Sequence, residues 1–215
     1  MTYLELLNKV MIRLREDTVS TVNQTTYSKL IGEFVNDALR VVEDAWDWSA
    51  LRTTLTVATS EDIFNYVLTN SQNNVKILDV LNDTSNNFMH YKDQHWFNNI
   101  FLNSNPAKGS PMYYTFNGVD NNGDSQIDVY PIPSGAYTLR FNVVQRTVSL
   151  SEDTDNILVP WLPVVHLAVA LASRERGETG GASAAELLAI ANQVMSDAIA
   201  LDASKHPEET IYVAV

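Results

Sequence analysis

Residues 110–150 read SPMYYTFNGVDNNGDSQIDVYPIPSGAYTLRFNVVQRTVSL, and this stretch decides the fold class. β-Branched and aromatic residues crowd 112–116, 126–130 and 137–146, which predicts three strands. In the last of them Tyr137, Leu139, Phe141 and Val143 alternate onto one face. Residues 117–125 are rich in Gly and Asn, and residues 131–136 read PIPSGA. Both are turn compositions, so the strands read as antiparallel and joined by turns.

Upstream the β character continues. Residues 51–59, with RTTLTVAT at their heart, predict a strand, and 64–69 and 75–81 predict two more. Residues 65–122 hold 14 Asn, which places turns and loops there rather than element interiors. Residues 91–102, with Trp96, Phe97, Ile100 and Phe101, predict a short helix.

Helices flank this region on both sides. Thr2 and Glu5 form a T-x-x-E capping box, and Leu4, Leu7, Met11 and Leu14 recur at helical spacing up to about Arg15. After the polar connector DTVSTVNQT, Thr25 or Thr26 caps a second helix carrying Leu30, Ile31, Phe34, Ala38, Leu39, Val42 and Trp46. A short polar link predicts that these two pack as an antiparallel pair. Downstream, Pro160 and Pro163 suit a first helical turn, and Gly177 suits the position just past a helix end. Residues 162–172 are apolar all round except His166, which predicts a central helix with Val165, Leu167 and Leu171 in the core. GETGGA follows as a link, and Ser183 with Glu186 opens a last helix through Leu201. Pro207 then breaks the pattern, and 211–215 is a short β-prone run.

The expected architecture is therefore α+β. Helix pairs at 1–48 and 157–202 form one helical bundle. An antiparallel β-rich domain at 49–156 is inserted between them, and 203–215 is an extended C-terminal arm.

Composition narrows function. The chain has 215 residues, 26 acidic against 14 basic side chains and a net charge of -12. Non-specific nucleic-acid binding rests on Lys and Arg neutralising phosphates, so this balance argues against it. The absence of Cys removes disulfide scaffolds, thiol catalysis and Cys-based zinc sites. The start, MTYLELLNKV, does not read as a signal peptide. The most apolar segment, 157–172, carries Pro160, Pro163 and His166 and falls short of the ~20 apolar residues a membrane helix needs. No membrane association is expected.

Chemistry-bearing motifs fail one by one. Asp120, Asn122 and Asp124 have the spacing of a calcium loop, but Ser125 stands where Gly is needed and Pro131 where Glu is needed. A hairpin turn is the expectation, with Asp124 at its surface. His90 and His95 are off the i, i+4 spacing of a helical metal pair. His166 reads as a core histidine, and His206 lies in a polar tail. Carboxylates cluster at Glu43, Asp44 and Asp47 and at Glu152, Asp153 and Asp155, where solvated charge is the expected reading over paired acid–base catalysis. Of Trp46 and Trp48, one is expected to close the core at the helix-to-strand junction. No enzyme activity, no cofactor and no metal site is expected.

Two stretches carry a likeness. One is NDALRVVEDAWDWSALRTTLTV, a helix ending in an aromatic corner before a strand. The other runs from SPMYYTFNG through IDVYPIPSGAYTLRFNVVQRTVSLSEDTDNILVPWLPVVHLAVALASRERGE to the final helix. In both pattern and order the chain resembles the head-to-tail adaptor proteins of tailed phages, including the tail tubular protein A of short-tailed phages. The resemblance implies a structural virion protein, made in the host cytoplasm, that forms a ring, typically dodecameric, beneath the portal. Such a ring extends the DNA channel, lets genomic DNA pass without specific binding, and offers a platform for the tail nozzle or next tail component. It also implies a terminal arm. Ile211, Tyr212 and Val213 are the candidate contacts of that arm with the portal or a neighbouring subunit, by backbone pairing at a strand edge. The alternatives are a carbohydrate-binding or glycan-degrading tail module built on the aromatic and carboxylate clusters, and an unrelated oligomeric bacterial protein.

Overall fold

The computed structural model describes residues 1–71, 75–102, 105–177 and 182–205. The fold is mixed α+β, with five helices and mainly antiparallel sheets among the described residues. The chain divides into two compact units, Met1–Leu51 with Thr147–Val215, and Arg52–Arg146.

The first unit holds helices α1 (Tyr3–Arg13), α2 (Thr26–Ala45), α4 (Trp161–Arg176) and α5 (Ala182–Ala203), while α3 (Gln94–Leu102) lies in the second. The capping box of α1 is complete. Glu5 N–H donates to Thr2 Oγ1 at 3.2 Å, and Thr2 N–H donates to Glu5 Oε2 at 2.9 Å. Its buried stripe is Tyr3, Leu6, Leu7, Val10 and Met11, with Leu14 buried just past its end, so of the expected Leu4–Leu7–Met11–Leu14 face only Leu4 stays partly exposed while the stripe extends to Tyr3, Leu6 and Val10. Thr25 caps α2 with Ser28 as the reciprocal partner, so serine fills the place glutamate holds in α1. Buried Ile31, Val35, Ala38, Leu39 and Val42 face the interior.

Helix α4 packs against α1, α2 and α5. Val164, Val165, Leu167 and Ala168 are buried, as a helix that is apolar all round requires. Leu171 is only half-buried, a correction to its expected core place, because it falls on the side of α4 the neighbouring helices leave partly open. Gly177 ends α4 in the left-handed region at φ 66°, where a side chain would be strained. The Ser183 side chain, expected to cap α5, lies outside the described residues.

Among its described residues the second unit contains ten strands in chain order. They are β1 (Arg52–Ala58), β2 (Asn65–Leu68), β3 (Lys76–Asn82), β4 (Asn87–Phe88) and β5 (His90–Tyr91). After α3 come β6 (Lys108–Gly109), β7 (Tyr113–Val119), β8 (Ser125–Tyr130), β9 (Ile132–Pro133) and β10 (Thr138–Val144). They form sheets of order β1-β10-β3-β4 and β2-β8-β7-β5, with a small β6-β9 pair. β7 and β8 make the expected hairpin. The second turn does not make another. β10 leaves β8 and pairs antiparallel with β1 and β3 in the other sheet. Pro131 and Pro133 carry no N–H, so the ladder of β8 cannot continue past Tyr130, and PIPSGA carries the chain across instead. Inward residues of both sheets share one core, with Leu68, Ile127, Val129, Leu139, Phe141 and Val143 fully buried.

Candidate interaction surfaces

The polar groups that spacing singled out are mostly consumed by the fold. Glu43 is buried near the end of α2, where its carboxylate accepts from Thr147 N–H and hydroxyl and from Arg40 Nη1 at 3.2 Å. It is a structural joint, which corrects the solvated-charge reading for Glu43, while Asp44 of the same cluster is exposed. The second cluster does similar work. Asp153 Oδ1 accepts from Val22 N–H at 2.8 Å. Asp155 Oδ2 accepts from the N–H groups of Ser151 and Glu152, and bonds to Glu152 and then Ser151 hold its carboxyl below the usual range. The loop LSEDTD is thus a strap. Leu4 and Tyr3 donate their N–H groups to the carbonyls of Asp153 and Asp155, and Asn36 on α2 exchanges two bonds with the backbone of Leu150. Sequence spacing does not reveal these partners because they lie more than a hundred residues apart along the chain.

Trp48 is 1% exposed and donates Nε1–H to Val42 carbonyl at 2.7 Å, while Trp46 is 37% exposed. The first closes the end of α2, and the two do not form a joint stacking platform. His90 lies on β5, His95 on α3 and His166 on α4. Burial, and then the Arg13 charge, push His166 below its ordinary value. Among the described residues no group of three His, Asp or Glu could hold a metal ion. No helix is long and apolar enough to cross a membrane among them.

Asp120 Oδ1 accepts from Asn122 and Asp124 N–H groups, which shapes the β7–β8 turn. Asp124 itself is 6% exposed and accepts from Ser71 N–H at 2.8 Å, so the expectation of a surface carboxylate is overturned. The turn folds back on the chain after β2, and its last acid fills a buried position.

Several large apolar side chains are nevertheless exposed. In the second unit, Trp96 of α3 packs on Tyr113 and Tyr130 at 5.0 and 5.8 Å between ring centroids, with Lys92 Nζ 5.6 Å from the Trp96 ring. Phe64 rests on Phe101 at 4.8 Å, and both Phe64 and Leu102 are exposed. In the first unit, α5 places Leu188, Ile190 and Leu201 in solvent. Near the end of α5, burial would raise the Asp202 carboxyl, but bonds from Ser49 Oγ, Lys205 Nζ and Ser49 N–H hold it well below the usual range. At the far end of α1, Ile12, Arg13 and Arg15 are exposed together.

Ile211, Tyr212 and Val213 lie outside the described residues.

A family model described as SU10 adaptor protein matches residues 1–208, spanning both units. No curated protein matches the chain.

Proposed function

The chain belongs to the SU10 adaptor protein family, and from that premise we propose that it assembles as a ring, dodecameric like the adaptors it resembles, beneath the phage portal. A structural adaptor role in the virion, in contact with portal and tail components in general, follows from the family itself. The ring, its copy number and its docking surfaces are the proposal. The helical unit acts as a bundle facing portal and neighbouring subunits, and the β-rich unit provides the platform for the nozzle or next tail component. Residues 203–215 serve as an arm, with Ile211, Tyr212 and Val213 as its contacts.

The observation that carries this reading is the family match across nearly the whole chain, helical and β-rich units alike. Charge supports it. A net -12 lets DNA pass a channel that a basic lining would hold, and keeps the free subunit soluble. The glycan-active alternative loses its two platforms, since Trp48 is buried and Glu43, Asp153 and Asp155 are spent on backbone bonds.

Purified virions provide the test. The chain should be present as a stoichiometric component, antibody–gold should mark the head–tail vertex, and the free chain should co-sediment with the portal ring from the same genome. Particles that infect normally without the chain would refute the adaptor reading.

A further inference from the structure

The β-rich unit is an insertion, so the chain leaves the helical unit once and returns once. Leu51 is the last residue on the way out and Thr147 the first on the way back. The same arrangement of atoms holds the chain at both points. Asp202 of α5 accepts the N–H and the hydroxyl of Ser49 at 2.9 and 2.6 Å. Glu43 of α2 accepts the N–H of Thr147 at 3.2 Å together with its hydroxyl, and Arg40 Nη1 donates to the Thr147 carbonyl at 2.7 Å. In each grip one carboxylate takes both donors of one hydroxyl residue. Both carboxylates are buried, Asp202 at 5% and Glu43 at 4% exposure, where a hydrogen bond gains from the low local dielectric. Buried Trp48 and Leu51 hold the outgoing chain as well.

All of these donors and acceptors belong to the helical unit. The insertion, for its part, closes on itself. Arg52 pairs with Val144 at the end of the β1–β10 ladder. Its core, built on Leu68, Ile127, Leu139 and Phe141, is drawn from the residues of that unit. The helical unit has a core of its own in Leu7, Val10, Val35, Leu39 and Val165.

We propose that the two grips insulate the helical unit from its insertion, so that the β-rich unit opens and recloses without loosening α1, α2 and α4. While the insertion is folded, its ladder holds the outgoing and returning chain together at Arg52 and Val144. When the ladder opens, Asp202 and Glu43 still fix Ser49 and Thr147. The open insertion is then a long loop between two fixed points, and the cost of closing a loop grows only with the logarithm of its length. Without the grips, loss of the ladder would free Ser49 and Thr147 and carry disorder into the end of α2. The device is a local unfolding equilibrium confined to one unit. It lets the helical unit keep its contacts while the β-rich unit rearranges, and it does not depend on the ring reading.

Backbone hydrogen exchange of the full chain, read by mass spectrometry peptide by peptide, tests this. Phe141→Ala opens a cavity in the β-rich core and should speed exchange in β8 and β10 by ~30-fold or more. Peptides of α1 and α4 should stay within about twofold of the parent. The same substitution is then made in a chain carrying Glu43→Ala and Asp202→Ala. There it should speed exchange at the end of α2 and in α4 by about tenfold over the same background with Phe141 intact. Comparing within each background cancels what the lost carboxylates do by themselves. If the double background does not fold, Asp202→Ala alone takes its place. If Phe141→Ala unfolds the insertion outright, exchange in α1 and α4 still gives the answer. Equal acceleration of both units with the grips intact would show one cooperative body and overturn the proposal. Helices that stay undisturbed after the grips are removed would overturn it too, since the insulation would then owe nothing to Asp202 and Glu43.

Discussion

Asp202, next to last in α5, accepts the backbone N–H of Ser49 at 2.9 Å and its hydroxyl at 2.6 Å across a separation of 153 residues. Lys205 Nζ adds a third bond at 2.9 Å. The carboxylate ties the end of α5 to the 3₁₀ turn, Ser49–Leu51, that closes the N-terminal segment of the helical unit. Replacing Asp202 by Ala strands these donors, and urea unfolding should show a loss of about 1–3 kcal/mol. The folded carboxyl titrates below its unfolded value, so this contribution is present above about pH 4 and fades as pH falls further. Parent and Asp202→Ala should converge in stability in acid. A constant gap from neutral pH down to strong acid would count against this assignment.

Gly32 is set by a neighbour rather than by a turn. A Cβ at this position of α2 would collide with the hydroxyl of Tyr3 and press on Val22 Cγ1 at 3.2 Å. Tyr3 is 4% exposed, so its ring is held in the core. Burial, and then the Glu33 charge, push its hydroxyl pKa up to about 12. Gly32→Ala should therefore lower stability by about 1–3 kcal/mol despite the better helix propensity of alanine. Tyr3→Phe in the same chain should recover part of the loss. A melting temperature equal to or above the parent's for Gly32→Ala would show that the helices can part at no cost.

Asp124 is where a failed calcium motif turns structural. Its carboxylate receives Ser71 N–H in a buried setting, and Ser125 N–H in turn donates to Ser71 Oγ at 2.7 Å. Asp124→Ala should cost about 1–3 kcal/mol, well above the half-kilocalorie typical of surface turns. Calcium should not raise the melting temperature of the parent, and scanning calorimetry with and without calcium measures both effects. Parental stability of Asp124→Ala would put the residue back on the surface.

Two leucines on α4 separate core from margin. Leu167 is buried, whereas Leu171 is half-buried. Leu167→Ala should cost about 2–5 kcal/mol through lost transfer energy and the cavity left behind. Leu171→Ala should cost less than half as much, since solvent already reaches the site and no closed cavity forms. Equal losses in denaturant titrations would mean that α4 is enclosed on every side.

The arm makes a prediction of a different kind. Removing residues 207–215 should leave the melting temperature nearly unchanged, because Ile211, Tyr212 and Val213 form a run too short to fold alone. Attachment to the portal ring, followed by co-sedimentation, should fall sharply. Parental binding by the truncated chain would reduce the arm to a tail and leave the helical unit to make the joint alone.

Local order was legible in the sequence. The Thr2–Glu5 box, Gly177 and the alternation of Leu139, Phe141 and Val143 depend on neighbours a few residues away and stand in the structure as read, and of the two candidate caps Thr25 and Thr26 the structure uses Thr25. The adaptor likeness was legible too, as an order of elements that the family match bears out at the coarser level. Tertiary structure alone decided the rest. Sending β10 to the other sheet, burying Glu43 and Asp124, and strapping α1 and α2 with Asp153 and Asn36 are pairings across long stretches of chain. A carboxylate carries no mark of whether water or a distant N–H will satisfy it. That choice is made when packing removes water and leaves one donor within reach.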